Sequence, residues 1–297
     1  MATPAAPRLS DLGRPFIVAV VTDRDPAAAE ATTRAAALDG AHAFELNLPA
    51  LPEATADELR ALFAATGRPV YTTCRRRAFM TVYGIPENDM PEWDDEERMA
   101  RQLAAIPLGA RAIDIEMDTF DPRPAPPPGS GNESREAPGS GPAEFSDDPD
   151  AIARQVETAR RAKDLGAEVL FSCHTGRPQP TDSLVGIAVA ARQRGADLVK
   201  IVSPCRTVDD LYAALEATRR LAGCLGLPFT LIGSGPAGDI SRIVGVNFGA
   251  SWAIGQLAYR PGSFHPQPLV GQLRETIRLV PWRAPVGPAG EGGERCG

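Results

Sequence analysis

The residue type that stands out for chemistry is lysine, because only two of the 31 basic residues, Lys163 and Lys200, are lysines and the rest are arginines. Lys200 lies inside the apolar run Leu-Val-Lys-Ile-Val of residues 198–202. A desolvated lysine amine can lose its proton near neutral pH and attack a carbonyl, whereas arginine stays charged. Taken alone, this run favours a buried, charge-paired lysine over an imine-forming nucleophile, and both interpretations stay open at this point.

A histidine ends the apolar run that precedes the lysine run along the chain. Residues 168–173, EVLFSC, predict a strand that closes at His174, one of only three histidines. A strand-end histidine is by itself more often structural than catalytic. Neighbouring parallel strands lie about 4.8 Å apart, so these two side chains are expected close together. A lysine that forms an imine and a histidine that moves protons suit the removal of a proton next to a ketone.

The elements that must position these residues are eight short apolar, β-branched runs that alternate with helical segments between residues 16 and 280. No hairpin signal separates them, which favours a parallel sheet with helical crossovers. The pattern predicts an α/β fold, a single-domain (β/α)8 TIM barrel, with a doubly wound sheet as the alternative. No glycine-rich phosphate fingerprint follows the first run, which weakens that alternative. Barrel enzymes carry their chemistry at the carboxyl ends of the strands.

Three stretches are expected to lie outside the barrel. Residues 1–14 predict a disordered leader and residues 281–297 a disordered Gly/Pro-rich tail, so the barrel occupies 15–280. Residues 121–149, after the fourth strand, are rich in Pro, Gly and Ser and predict a disordered insertion. Because strands and helices alternate on both sides of it, an inserted surface loop is favoured over a linker between domains.

Composition excludes several classes of function. The net charge of −7 argues against a nucleic-acid partner, and no apolar run is long enough to span a membrane. The five cysteines are scattered without paired spacing, so neither a disulfide framework nor a zinc site is expected, and a reducing cytoplasm fits best.

Several segments of the second half carry a family resemblance. Residues 171–174 (FSCH), 195–204 (GADLVKIVSP) and 233–242 (GSGPAGDISR) resemble successive signatures of type I 3-dehydroquinate dehydratase. Residues 248–251 (FGAS) and 263–267 (SFHPQ) resemble its last strand and loop. The resemblance implies a barrel lyase that dehydrates 3-dehydroquinate to 3-dehydroshikimate in the shikimate pathway, with no metal and no cofactor.

The resemblance also implies a role for individual residues. Lys200 matches the lysine that forms an imine with the substrate ketone, and His174 matches the general acid/base. Arg242, Ser263 and Gln267 match the residues that bind the substrate carboxylate. An arginine fork with neutral donors beside it is physically suited to that group.

The first half matches the family loosely and departs from it at informative positions. Glu45 and Arg75 match contacts to ring hydroxyls, but Asn47 stands where the family has arginine. Phe79 stands where the family has the glutamate that orients the histidine, and Thr175 replaces an aspartate. Losing an orienting carboxylate would impair proton transfer, and Glu116 is a candidate replacement.

Two alternatives to 3-dehydroquinate dehydration stay open. The same imine can act on a related cyclic keto acid of specialised metabolism, by elimination or by aldolase-type cleavage. The chain can instead be a catalytically silent protein that binds a cyclic acid. In each case the expected partner is a small anionic cyclic keto acid, with no nucleic acid and no membrane, and a homodimer is an allowed assembly.

Overall fold

The computed structural model describes residues 6–76, 85–123, 143–259, 267–283 and 296. The described strands are β1 (Phe16–Val21), β2 (Ala43–Asn47), β3 (Val70–Thr73), β4 (Ala112–Glu116), β5 (Glu168–His174), β6 (Leu198–Pro204), β7 (Phe229–Ser234) and β8 (Trp252–Gly255). The α-helices are α1 (Pro26–Asp39), α2 (Ala56–Ala64), α3 (Asp95–Ala105), α4 (Pro149–Asp164), α5 (Thr181–Gln193), α6 (Val208–Cys224), α7 (Ser241–Val244) and α8 (Val270–Leu279). No helix in these ranges is long and apolar enough to cross a membrane.

The eight strands form one sheet in the order β8-β1-β2-β3-β4-β5-β6-β7. Ser251 N, just before β8, donates to Phe229 O of β7 at 2.7 Å, and Thr230 Oγ1 donates to Trp252 O at 3.0 Å. Parallel strands with helical crossovers in this order are the (β/α)8 barrel fold, and the predicted fold class is therefore confirmed.

Each strand forms because its apolar run is buried on both faces. All six residues of β1 and all five of β4 are buried, including carboxylates in β4. Several helices begin at side-chain caps. At α6, Thr207 Oγ1 accepts from Asp210 N, and the Asp210 carboxylate accepts from Thr207 N. Thr55 and Glu58 form the same capping box at α2.

The chain consists of two compact units. The first comprises Met1–Asp114, Arg160–Val169 and Ile254–Glu275, and contains β1 to β3 in parallel register. The second comprises Ile115–Ala159, Leu170–Ala253 and Thr276–Gly297. It contains β6 and β7 with all but the start of β5, and in it Lys200 pairs with Ser172 on one side and Thr230 on the other.

The predicted disordered leader is wrong from residue 9 onwards. Leu9–Asp11 form a 3-10 turn, and the Leu9 side chain is buried. Leu9 N and Ser10 N donate to the buried Glu168 carboxylate at 2.6 and 3.1 Å. The carboxylate of Glu168, the first residue of β5, therefore anchors residues 9 and 10. The composition of residues 1–14 alone does not reveal a partner so distant in the sequence.

The predicted insertion and tail also contain ordered residues. Residues 121–123 and 143–149 are described, Glu144 is buried, and 124–142 lie outside the described residues. In the tail, 281–283 are described, and Asn247 donates to Trp282 O. Residues 284–295 and 297 lie outside the described residues.

A disulfide joins Cys224 at the end of α6 to Cys296, so the expectation that the cysteines stay unpaired is wrong for these two. Their sequence separation is 72 residues, and neither belongs to a paired motif that would announce the bond. The eighth strand also begins after residues 248–251, which resemble the last strand of the family. Gly245–Phe248 form a 3-10 turn, which ends at Gly249 with a left-handed φ of 109°, and β8 begins after it.

Candidate active site

Lys200 is a buried residue at the centre of β6. Its neighbours Val199 and Ile201 are fully buried, and the lysine itself is 7% exposed. An amine attacks a carbonyl only in its neutral form, and desolvation is the general means by which proteins favour that form. The position therefore meets the physical requirement that the sequence pattern suggested for an imine-forming lysine.

His174 lies on the strand next to the lysine. Lys200 pairs in register with Ser172, and His174 follows Ser172 by two residues on β5. Because strand side chains alternate between faces, all three point to the same face of the sheet. The structure thus brings the two predicted catalytic residues to adjacent strands on one face.

A carboxylate that the sequence reasoning missed holds the histidine. Glu144 Oε2 lies 2.7 Å from His174 Nδ1 and also accepts from the His174 backbone N at 2.9 Å. The Glu144 side chain is 1% exposed, whereas that of His174 is 29% exposed. The carboxylate beside His174 is therefore that of Glu144 and not that of Glu116, the candidate replacement. Phe79 lies outside the described residues.

The segment around Glu144 is fixed by backbone hydrogen bonds. Ala143 N donates to Thr175 O at 3.0 Å, Glu144 N donates to His174 O at 3.2 Å, and Ser146 N donates to Met117 O at 3.0 Å. The segment is therefore tied both to the residues that end β5 and to Met117, which follows β4.

The buried guanidinium of Arg194 anchors the same segment. It donates to Ser146 O at 2.6 Å, Met117 O at 2.9 Å and Gln155 Oε1 at 2.8 Å, and lies 4.9 Å from the Phe145 ring. Burial lowers the pKa of Arg194 from its ordinary value. An arginine remains protonated under such conditions, so this cation satisfies carbonyl acceptors on two segments at once.

Arg242 is held at the start of α7 by a tightly folded glycine loop. Gly233 N donates to Ser241 Oγ at 2.7 Å. A Cβ at Gly238 would lie 2.7 Å from the carbonyl carbon of Gly233, so only glycine fits there. Arg242 is 8% exposed, and its Nε lies 3.7 Å from Asp239 Oδ1. A desolvated guanidinium fork is suited to binding a carboxylate.

In the first unit, Glu45 on β2 is buried and bound by neighbouring side chains. Tyr71 OH, from the paired position on β3, donates to Glu45 Oε2 at 2.5 Å. Asn47 Nδ2 donates to Glu45 Oε1 at 3.4 Å. The sequence did not predict the contact between Tyr71 and Glu45, because the register between two strands cannot be deduced from the sequence of either strand alone.

The other predicted binding residues differ in what the structure records. Arg75 follows β3 by two residues and is partly buried. Gln267 is buried, with its Nε2 donating to Gly255 O at 3.1 Å. Ser263 lies outside the described residues. Among the described residues, no group of three or more His, Cys, Asp or Glu side chains is arranged to hold a metal ion.

Comparison with known proteins decides the family. The family model described as Type I 3-dehydroquinase matches residues 17–280. The chain belongs to the type I 3-dehydroquinase family. The match covers the barrel and both residues that the sequence singled out for chemistry.

Two curated relatives illustrate the extent of sequence similarity within this family. The 3-dehydroquinate dehydratase of Aromatoleum aromaticum is 31% identical over 140 residues, which cover 46% of this chain and 51% of the relative. That of Geobacillus sp. is 28% identical over 133 residues, 44% of this chain and 48% of the relative. The chain thus spans about half the length of the curated relatives it matches.

Solved structures of the family share the fold over nearly the full chain. The 3-dehydroquinate dehydratase of Geobacillus kaustophilus gives a TM-score of 0.71 at 15% identity, covering 94% of this chain and 97% of the other. The type I enzyme of Clostridium difficile, with covalently modified comenic acid, gives 0.69 at 16% identity and coverages of 91% and 93%. At such low identity the likeness demonstrates the barrel fold.

Proposed function

We propose that the chain is a carbon–oxygen lyase that dehydrates 3-dehydroquinate to 3-dehydroshikimate through an imine on Lys200. One observation carries the proposal: a buried lysine and a carboxylate-bound histidine lie on one face of adjacent strands. Family membership supports the substrate class.

The chemistry follows from what each group can do. The Lys200 amine adds to the substrate ketone and expels water, giving an iminium ion that acidifies the adjacent C–H bond. His174 Nε2 removes that proton, because Nδ1 lies 2.7 Å from Glu144 Oε2 and an ionised carboxylate there favours the tautomer with the proton on Nδ1. The same ring then returns the proton to the departing hydroxyl, which leaves as water. Hydrolysis of the imine consumes one water and releases the enone, so the net change is the loss of one water.

Substrate binding is proposed for five residues. Arg242 binds the substrate carboxylate, with Ser263 and Gln267 as neutral donors, while Glu45 and Arg75 bind ring hydroxyls. The binding partner is a small anionic cyclic keto acid. Cytoplasmic localisation and a homodimer stay predictions, and the disulfide at Cys224 is an argument against a strongly reducing compartment.

The chain offers a matched control for the imine test. Lys163, on the exposed face of α4, is the other lysine. Incubation with 3-dehydroquinate and borohydride is expected to add the reduced substrate mass to the peptide containing Lys200 in the native chain and in Lys163→Arg. Lys200→Arg is expected to abolish both the adduct and the enone absorbance. Native protein that gives neither adduct nor enone would refute the proposal.

A second candidate substrate, a related cyclic keto acid, is favoured by the surroundings of Glu45. The Glu45 carboxylate accepts hydrogen bonds from Tyr71 and Asn47. Asn47 stands where the family has an arginine, two positions after the glutamate. This arrangement changes the donors that meet a ring hydroxyl. A panel of amino- and deoxy-analogues with borohydride trapping separates the candidates, and fastest turnover of 3-dehydroquinate by a wide margin excludes this one. The carboxylate beside His174 supports turnover over the silent-binding alternative, which saturable binding of a cyclic acid with no turnover would favour.

A further inference from the structure

We infer that Glu144 is the positioning residue for the proton-transferring histidine, supplied by the segment before α4 in place of the family position occupied by Phe79. The inference rests on the proposed function of His174 as acid and base. Glu144 does not contact the reacting atoms; it acts through the imidazole ring.

The contact geometry fixes both the ring and its tautomer. One carboxylate oxygen, Oε2, meets His174 Nδ1 at 2.7 Å and the His174 backbone N at 2.9 Å. An ionised carboxylate accepts hydrogen bonds only, so with Glu144 ionised Nδ1 carries a proton and Nε2 is the nitrogen that exchanges one. Because Glu144 contacts both the backbone N and the ring of His174, it also restricts rotation of the imidazole ring.

The surroundings of the carboxylate make this contact rigid. Glu144 N donates back to His174 O at 3.2 Å, so residue 144 is tied to residue 174 by main chain and side chain. The Glu144 side chain is 1% exposed, which protects its interaction from water and salt. A preorganised charge stabilises the imidazolium that forms when the ring takes up the proton.

Close approach of the Glu144 segment requires a glycine beside the histidine. Gly176 has a φ of +69°, and a Cβ built on it would lie 2.7 Å from the Ala143 Cβ. Residue 143 precedes Glu144, so any side chain at 176 would push the carboxylate away from the ring. The absence of a side chain at Gly176 thus allows the segment that carries Glu144 to approach His174.

The kinetic test replaces Glu144 and a matched buried carboxylate. Glu144→Gln is expected to lower kcat by about 100-fold or more with little change in KM, because proton transfer and not binding is impaired. Borohydride trapping on Lys200 is expected to persist. Glu168→Gln is the control, because Glu168 is equally buried and also accepts from backbone N–H groups. Glu168 begins β5, whereas His174 ends it. Glu168→Gln is expected to lower stability and leave kcat unchanged.

A structural test does not depend on turnover. With ¹⁵N-labelled histidine, Nδ1 of His174 is expected to be protonated in the native chain, and Glu144→Leu is expected to shift the population towards the Nε2–H tautomer. Gly176→Ala is expected to reproduce the kinetic effect of Glu144→Gln. Adding Ala143→Gly removes the clashing methyl and is expected to recover part of kcat.

The outcomes separate this inference from the proposed function. A native chain that never turns over 3-dehydroquinate refutes the proposed function, while the tautomer measurement still tests the Glu144 contact. A native chain that turns over, with Glu144→Gln at native kcat or with an unprotonated Nδ1 on His174, refutes the inference alone. Loss of kcat together with loss of the trapped adduct would also overturn it, because the defect would then precede proton transfer.

Discussion

Removal of the Arg194 guanidinium is predicted to be among the most destabilising single changes in the second unit. The side chain is 5% exposed and donates to three acceptors, Ser146 O, Met117 O and Gln155 Oε1. Hydrogen bonds from a charged donor contribute about 1.5–3 kcal/mol each. The desolvation of the cation offsets part of their sum, so Arg194→Met is expected to lower the free energy of unfolding by about 3–5 kcal/mol.

The assay is urea denaturation, with Arg192→Met as the matched control. Arg192 lies two residues earlier, in the last turn of α5, and donates to Leu225 O at 3.1 Å. A single partly exposed bond predicts a loss of about 1 kcal/mol or less. Amide hydrogen exchange at Ser146 is expected to accelerate in Arg194→Met only, because the guanidinium that donates to the Ser146 carbonyl is gone and the segment loosens. A loss below about 1 kcal/mol for Arg194→Met would refute the reasoning.

Three further predictions concern single side chains. Burial lowers the pKa of His42, whose Nδ1 accepts from Ile17 N, so the neutral ring contributes stability above pH about 6.5 that is lost as the pH falls through the pKa of the folded state. The free energy of unfolding in urea should therefore depend less on pH in His42→Asn than in the native protein, and an equal dependence would contradict this. Burial raises the pKa of Cys205 to about 11, so iodoacetamide at pH 8 should alkylate its peptide only after unfolding, and rapid labelling of folded protein would argue otherwise. Tyr71→Phe removes the donor to the buried Glu45 and should lower the unfolding free energy by about 1–3 kcal/mol, against no loss if the bond is unimportant.

Sequence and structure agree at most positions where the signal is local. The run around Lys200 is apolar and β-branched, and it forms a buried strand within a residue or two of the predicted bounds. The cap at Thr207 is equally local, because Thr207 and its partner Asp210 are only three residues apart. The sequence places the eighth strand too early, because Val246 and Phe248 are residue types typical of strands but lie in a 3-10 turn that ends at Gly249.

The departures occur where the partner is distant along the chain. Leu9 is buried against Glu168, 159 residues away, and Cys296 pairs with Cys224 across 72 residues. A composition rule weighs only whether a segment can bury its own side chains, and it assigns such segments to disorder. Tyr71 was missed for the same reason, since only the pairing of β2 with β3 brings it to Glu45.

Residue types and their spacing are enough to identify the repeating strand–helix pattern, the unusual lysine in an arginine-rich chain and the histidine that ends the preceding strand. These features depend on residue type and on periodicities of two and 3.6, which the chain displays directly. Contacts between distant segments were needed to find the carboxylate that lies beside the histidine. Glu144 stands 30 residues from His174 at the edge of a Pro/Gly/Ser-rich stretch, and backbone bonds to β5 and a buried arginine from the end of α5 bring it to the ring.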